Sequence, residues 1–211
     1  MSNIKNAFSK GKAFIPFITC GQISLDITEK TIYEMEKNGA NLIELGIPFS
    51  DPVAEGSIIQ SANNRALKNG TTTDKIFSML ESVRKNTDIP MVFMTYANIV
   101  FSYGIERFAE KSKKLKIDGI ILPDVPYEEK KEFDSIFKKH NIDFISLIAP
   151  TSEERISAIA KDSNGFIYCV SSLGVTGIRK NINTNIEKMV NLVKSVNNIP
   201  VAVGFGISTP K

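Results

Sequence analysis

Three carboxylates, Glu44, Asp51 and Glu55, fall within the stretch ELGIPFSDPVAEG, directly after an apolar run. A carboxylate at the end of a strand buried on both faces is costly unless something uses it. If Glu44 closes such a strand, desolvation raises its pKa toward neutrality, and the group can then both give and accept a proton. Glu44 is therefore the candidate catalytic acid/base, although a strand-end glutamate paired with a lysine accounts for its position alone at least as well. Asp51 and Glu55 lie four residues apart in a loop stiffened by Pro48 and Pro52 and ended by Gly56. They need not face one site, and a solvated acidic loop fits them too.

A second kind of chemistry is written in SSLGVTGIRKNINT (171–184), where small residues and two glycines stand between an apolar run and an amphipathic one. Such a loop lets backbone N–H groups approach a phosphate, and VGFGIS offers a second turn of the same kind. His140 is the only histidine, in FKKHN, so a histidine-based triad and a multi-histidine metal site are excluded by count. Cys20 and Cys169 end apolar runs without metal-type spacing, which reads as buried, reduced thiols and a cytosolic compartment.

These residues need elements to position them. Short apolar, β-rich runs recur at 13–19, 41–46, 90–95, 118–123, 143–149, 165–170 and 200–205, bounded by Gly, Pro, Asn or Asp. Near-continuous hydrophobicity of this kind marks strands buried on both faces. Between them, 27–39, 74–86, 105–116, 128–141, 152–163 and 186–198 read as amphipathic helices, and Asp26 with Glu29 and Thr151 with Glu154 have capping-box spacing. Strand and helix alternate throughout, which implies parallel strands joined by right-handed crossovers, either a doubly wound sheet or a (β/α)8 barrel.

The barrel is favoured. No Gly-rich nucleotide fingerprint follows the first strand, where TCGQIS stands, and the loops after strands two and six are long and rich in Gly, Ser and charge. In a barrel the strand ends carrying Glu44, Tyr96, Asp124 and Tyr168 converge on one mouth. Seven strands are found where eight are required. Thr209-Pro210 makes a helix start at the chain's last residues, so the pattern implies a further helix, an eighth strand and a final helix, on the order of 50 residues. Residues 1–211 are expected to form a single (β/α) barrel domain that is incomplete at its C-terminal end.

The composition agrees with a globular protein: 42% apolar and 23% charged residues, with a formal net charge of +3. Lysine pairs such as Lys113-Lys114 and Lys138-Lys139 alternate with acids instead of forming one basic block, so they read as solvated helix faces rather than a nucleic-acid site. The amino terminus lacks the apolar segment of a secretory signal, and no run approaches the ~18 apolar residues of a membrane span. A soluble, cytoplasmic protein is expected.

ELGIPFSDPVAEG, YANIVF, PDVPYEE, SSLGVTG and GFGIST, in this order and spacing, resemble the tryptophan synthase alpha subunit, from about Phe14 to the last residue. The resemblance implies a (β/α)8 lyase that cleaves indole-3-glycerol phosphate to indole and glyceraldehyde 3-phosphate by a retro-aldol reaction. It implies no cofactor of its own, with pyridoxal phosphate belonging to a partner beta subunit in an α2β2 tetramer. Glu44 matches the family's catalytic glutamate. Glu55 stands where the family has the aspartate of ADG, whose role is to hydrogen-bond the indole N–H. Its extra methylene predicts lowered activity, since ~1 Å of displacement can cost a factor of ~100. Phe17, Tyr96, Tyr168 and Phe205 match positions that line the indole pocket or its rim. Thr176 and Gly177 match the loop that closes over substrate, and Gly177 with Gly206 matches part of the phosphate cradle. Pro48, Asp51, Asn98 and Phe101 match the surface that docks the beta subunit.

Two departures accompany the match: the family's remaining phosphate ligands, at a Gly-Ser after the eighth strand, have no counterpart, and TCGQIS replaces a Gly-Asp/Tyr-Pro turn. Two other readings stay open here. One is a catalytically weak chain acting only as a binding or activating partner of the beta subunit. The other is a related phosphate-binding barrel, disfavoured because such enzymes use different acid and lysine patterns at strand ends.

Overall fold

A computed structural model describes residues 2–171 and 186–204. Eight strand segments run parallel: β1 (Phe17–Thr19), β2 (Ile43–Gly46), β3 (Met91–Met94), β4 (Gly119–Ile121), β5 (Asp143–Phe144), β6 (Ser146–Ile148), β7 (Ile167–Val170) and β8 (Val201–Gly204). They correspond to the seven apolar runs, because the fifth run is interrupted at Ile145: β5 pairs with β4, and β6 pairs with β7. Neighbours follow chain order throughout, β1 to β5 and then β6 to β8. A doubly wound sheet reverses its order at a switch point, and none occurs among the described residues. The architecture is that of a TIM-type (β/α) barrel.

The alternation of side chains along the strands confirms the curvature physically. Val92 and Met94 of β3, Ile121 of β4, Ile145, and Tyr168 and Val170 of β7 pack into one inner cluster with Phe17 and Ala202. The intervening residues Ile43, Leu45, Met91, Phe93, Ile120 and Phe144 pack outward into a second cluster with the helices. Period-two alternation thus divides each strand between the barrel interior and the helical layer.

The helices are α1 (Ile4–Ala7), α2 (Leu25–Lys37), α3 (Ser57–Lys68), α4 (Thr73–Val83), α5 (Ala97–Tyr103), α6 (Ile105–Lys114), α7 (Lys130–Lys139), α8 (Ile156–Lys161) and α9 (Ile186–Val196). Three of these, α1, α3 and α5, lie in segments that the sequence pattern left as loop or unassigned. α1 plugs the barrel floor: Ile4 is fully buried in the inner cluster, and the Asn3 N–H donates to Asp118 Oδ1 at 2.6 Å. Both capping-box expectations are corrected. α2 is capped by Ser24, whose hydroxyl accepts from the Ile27 N–H, and Glu29 instead accepts from the Tyr33 and Ser82 hydroxyls. Thr151 lies within a 3-10 segment, Pro150–Arg155, ahead of α8. No helix among the described residues is long and apolar enough to cross a membrane.

Candidate active site

Strand geometry decides where Glu44 points. It stands opposite Phe17 of β1 and Val92 of β3, both inner-face residues, so it too projects into the barrel. Its partner in the pleat, Leu45, goes to the helical layer. The strand's last position, Gly46, takes glycine because a Cβ there would meet the Phe17 ring at 2.6 Å. Glu44 is 4% exposed, and burial pushes its carboxyl from the ordinary 4.5 up to about 8. The neighbouring Tyr168 phenol is also pushed up, by burial first and then by the charge on Glu44, so it stays protonated.

The acidic loop runs from β2 into α3, and α3 is what orients Glu55. Asn63, buried in α3, donates from Nδ2 to Glu55 Oε2 at 2.5 Å, and Gln60 Nε2 donates to the Glu55 carbonyl at 2.7 Å. Tyr96, at the start of α5, donates its hydroxyl to the Glu55 carboxylate and accepts the Ala54 N–H at 3.3 Å. Burial, the largest cause, raises the Glu55 pKa above the ordinary glutamate value, and the Asn63 and Tyr96 hydrogen bonds oppose that rise. The two acids therefore differ in surroundings. Glu44 is raised by burial alone, and Glu55 has donors on its carboxyl group.

Asn69, the C-cap residue of α3, holds the turn after β1. Asn69 Nδ2 donates to the Gly21 and Ile23 carbonyls at 3.2 and 2.9 Å. Gly21 itself has φ +77°, with Thr71 Oγ1 within 2.1 Å of where a Cβ would stand. The unusual TCGQIS turn is thus tied to the same helix that holds Glu55.

Glu44, Glu55, Phe17 and Tyr168 line one cavity of about 1040 Å³, which also takes in Met94, Ile58, Ile59 and Gly204 and lies between β1 and β8. Its walls are mostly apolar, with Glu44 and Glu55 as its acids and Lys12 and Lys194 as its bases, which suits a largely apolar ligand carrying a few polar atoms. Tyr96 is buried behind the cavity wall: its ring lies tilted on Phe49 with centroids 5.1 Å apart, and its hydroxyl accepts from Ala54, a residue that lines the cavity. Asp124, expected at the same mouth, accepts the Ala97 N–H with both oxygens at 3.1 Å and so fixes the start of α5.

Of the expected docking residues, Asp51, Asn98 and Phe101 are exposed. Pro48, expected with them, is buried. Thr176, Gly177, Phe205 and Gly206 lie outside the described residues. Cys20 and Cys169 are buried, as expected, and burial pushes their thiols up to about 12 and about 11.

Asn63 and Gln60 are the residues that sequence reasoning missed. A signal existed: Ile58, Ile59, Ala62 and Ala66 follow helical spacing directly after Gly56.

The raised Glu44 pKa has a consequence for stability. Below about pH 4.5 the group is neutral in both the folded and unfolded chain. Between 4.5 and about 8 the unfolded chain loses the proton first, so stability falls as pH rises, and the loss levels off above about 8. Glu44→Gln removes this dependence. Thermal or urea unfolding from pH 4 to 9 is expected to show the variant gaining on the parent by on the order of a few kcal/mol, at ~1.4 kcal/mol per pKa unit. Parallel stability curves would contradict the assigned shift.

Comparison with known proteins places this arrangement among relatives. The family model for the tryptophan synthase alpha chain matches residues 3–211. The tryptophan synthase alpha chain of Clostridium acetobutylicum is 47% identical over 204 residues, covering 97% of this chain and 78% of the relative. That of Lacticaseibacillus casei is 44% identical over 211 residues, covering 100% and 79%. Among solved structures, a chain of the mutually activating tryptophan synthase α2β2 complex of Pyrococcus furiosus superposes with a TM-score of 0.85 at 36% identity, covering 93% of this chain and 79% of that one. The Legionella pneumophila alpha chain gives 0.87 at 33%, covering 100% and 79%.

Proposed function

Because the chain belongs to the tryptophan synthase alpha chain family and serves as an alpha subunit in tryptophan biosynthesis, we propose that it cleaves indole-3-glycerol phosphate by a retro-aldol reaction. The observation that carries this reading is the pairing of two carboxyl groups in different surroundings, Glu44 and Glu55, on one mostly apolar cavity. With its pKa near 8, Glu44 is largely protonated at neutral pH and donates its proton to indole C3. The resulting carboxylate takes the proton of the glycerol hydroxyl next to the ring. As that O–H pair becomes a carbonyl, the C–C bond breaks, and its electrons return to the protonated ring to leave indole and glyceraldehyde 3-phosphate. Glu55, ionised, hydrogen-bonds the ring N–H and offsets the positive charge that C3 protonation creates.

Phe17 and Tyr168 flank the flat ring in this reading, with Phe205 as a further wall. Thr176 and Gly177 belong to a closing loop, and Gly177 with Gly206 to a phosphate cradle. No cofactor takes part in this step; pyridoxal phosphate belongs to a beta subunit, which docks at the surface carrying Asp51, Asn98 and Phe101, with Pro48 beneath it. The assay is indole release from indole-3-glycerol phosphate, with and without a beta subunit. Turnover that rises when the beta subunit is added is the expected result. Activation of the beta subunit with no indole release would overturn the lyase assignment and leave a binding partner only.

A further inference from the structure

We infer that Asn63 is a positioning residue of this site, one that acts on the reaction by aiming the Glu55 carboxylate into the cavity. The inference rests on the lyase reading for its kinetic part and on geometry alone for the rest. Asn63 is 3% exposed in the middle of α3, a helix of 12 residues whose small buried neighbours Ala62 and Ala66 seat it against the barrel. Its amide therefore has little freedom, and the 2.5 Å hydrogen bond to Glu55 Oε2 transfers that rigidity to the acid. Gln60 holds the Glu55 carbonyl at 2.7 Å from the same helix.

A glutamate has one more rotatable bond than an aspartate, and a free one at a loop end would sample several rotamers. Held at both its backbone and its carboxylate, Glu55 is confined to one. Tyr96 is the other side-chain donor, so the Glu55 carboxylate has one partner on α3 and one at the start of α5. This is why the longer acid serves at a position where the resemblance leads one to expect aspartate.

Asn63→Leu, which removes the donor at similar volume, and the isosteric Asn63→Asp, which replaces the donor with a second carboxyl group, test the role. For folded variants, verified by circular dichroism, kcat for indole release is expected to fall on the order of tenfold, the scale of one hydrogen bond to a charged group. The acid limb of the kcat–pH profile is expected to move to higher pH, because losing a donor to the carboxylate favours its neutral form. In a Glu55→Ala background the same substitutions are expected to change kcat by less than about twofold. A carbon-detected NMR titration of Glu55 in 13C-glutamate protein, assigned by its loss in Glu55→Ala, is expected to show its midpoint rising in both Asn63 variants. An equal kcat loss in the parent and Glu55→Ala backgrounds, or an unmoved Glu55 midpoint, would overturn the positioning role. A raised midpoint in a chain with no lyase turnover would uphold the positioning role while overturning the lyase reading.

Discussion

Replacing Glu44 by glutamine is expected to lower indole release by about 10²- to 10⁴-fold, the usual contribution of a positioned general acid/base. Glutamine keeps the shape of the side chain and cannot deliver or take the proton. The Michaelis constant should change little, because an interaction made mainly in the transition state is lost from kcat and kcat/KM together. The pH dependence supplies an independent check. Parent kcat should decline above about pH 8 as the acid form of Glu44 is titrated away, and the residual rate of Glu44→Gln should lack that decline. Equal turnover in the two proteins would remove Glu44 from the mechanism. The stability gain of Glu44→Gln at alkaline pH separates this result from misfolding, since an active-site acid that is costly when ionised predicts an inactive protein that is more stable, not less.

Glu55→Gln is expected to cost about 10²- to 10³-fold in kcat, the scale for losing one electrostatic stabiliser of a developing charge. Glutamine still accepts hydrogen bonds from Asn63 and Tyr96, so the loop is held while the charge that balances the protonated ring disappears. Glu55→Asp addresses the other half of the question. The shorter acid keeps the charge but draws the carboxylate back from the 2.5 Å contact with Asn63, and a shift of ~1 Å is enough to cost up to a factor of ~100. Loss in Glu55→Asp means that α3 is fitted to the longer side chain. A gain means that the parent carries the reduced activity expected from the sequence alone. Steady-state kinetics for the three proteins decides between these outcomes, and a Glu55→Gln rate within twofold of the parent would remove Glu55 from charge stabilisation.

The elements that carry the strongest periodic signal were legible without coordinates. Seven apolar runs predicted the strands, and the amphipathic segments at 27–39, 74–86, 105–116 and 186–198 predicted α2, α4, α6 and α9 closely. Glu44 was legible for the same reason. A charged residue inside a run such as NLIELG must face inward or outward by pleat alone, and strand burial makes either choice expensive unless the group is used. Membership of the family was legible as well, because motifs such as ELGIPFSDPVAEG preserve residue order and spacing, which a linear reading captures.

What the sequence by itself determined, then, was the alternation of strand and helix, the candidate acid at a strand end and the family. The tertiary structure supplied three further points. The strand order bore out the barrel that the sequence favoured, since a doubly wound sheet and a barrel share the same local alternation and differ only in which strands pair. The turning of Tyr96 toward the acidic loop depended on a hydrogen bond to Ala54, which is remote from it in the chain. The clamping of the Glu55 carboxyl depended on Asn63, eight residues further along the chain, and on Tyr96 from another βα unit. The physical reason is common to all three. Backbone periodicity records what each residue does relative to its neighbours in sequence, whereas a hydrogen bond to a buried carboxylate, and hence its charge, is set by whichever groups the fold brings within 3 Å of it.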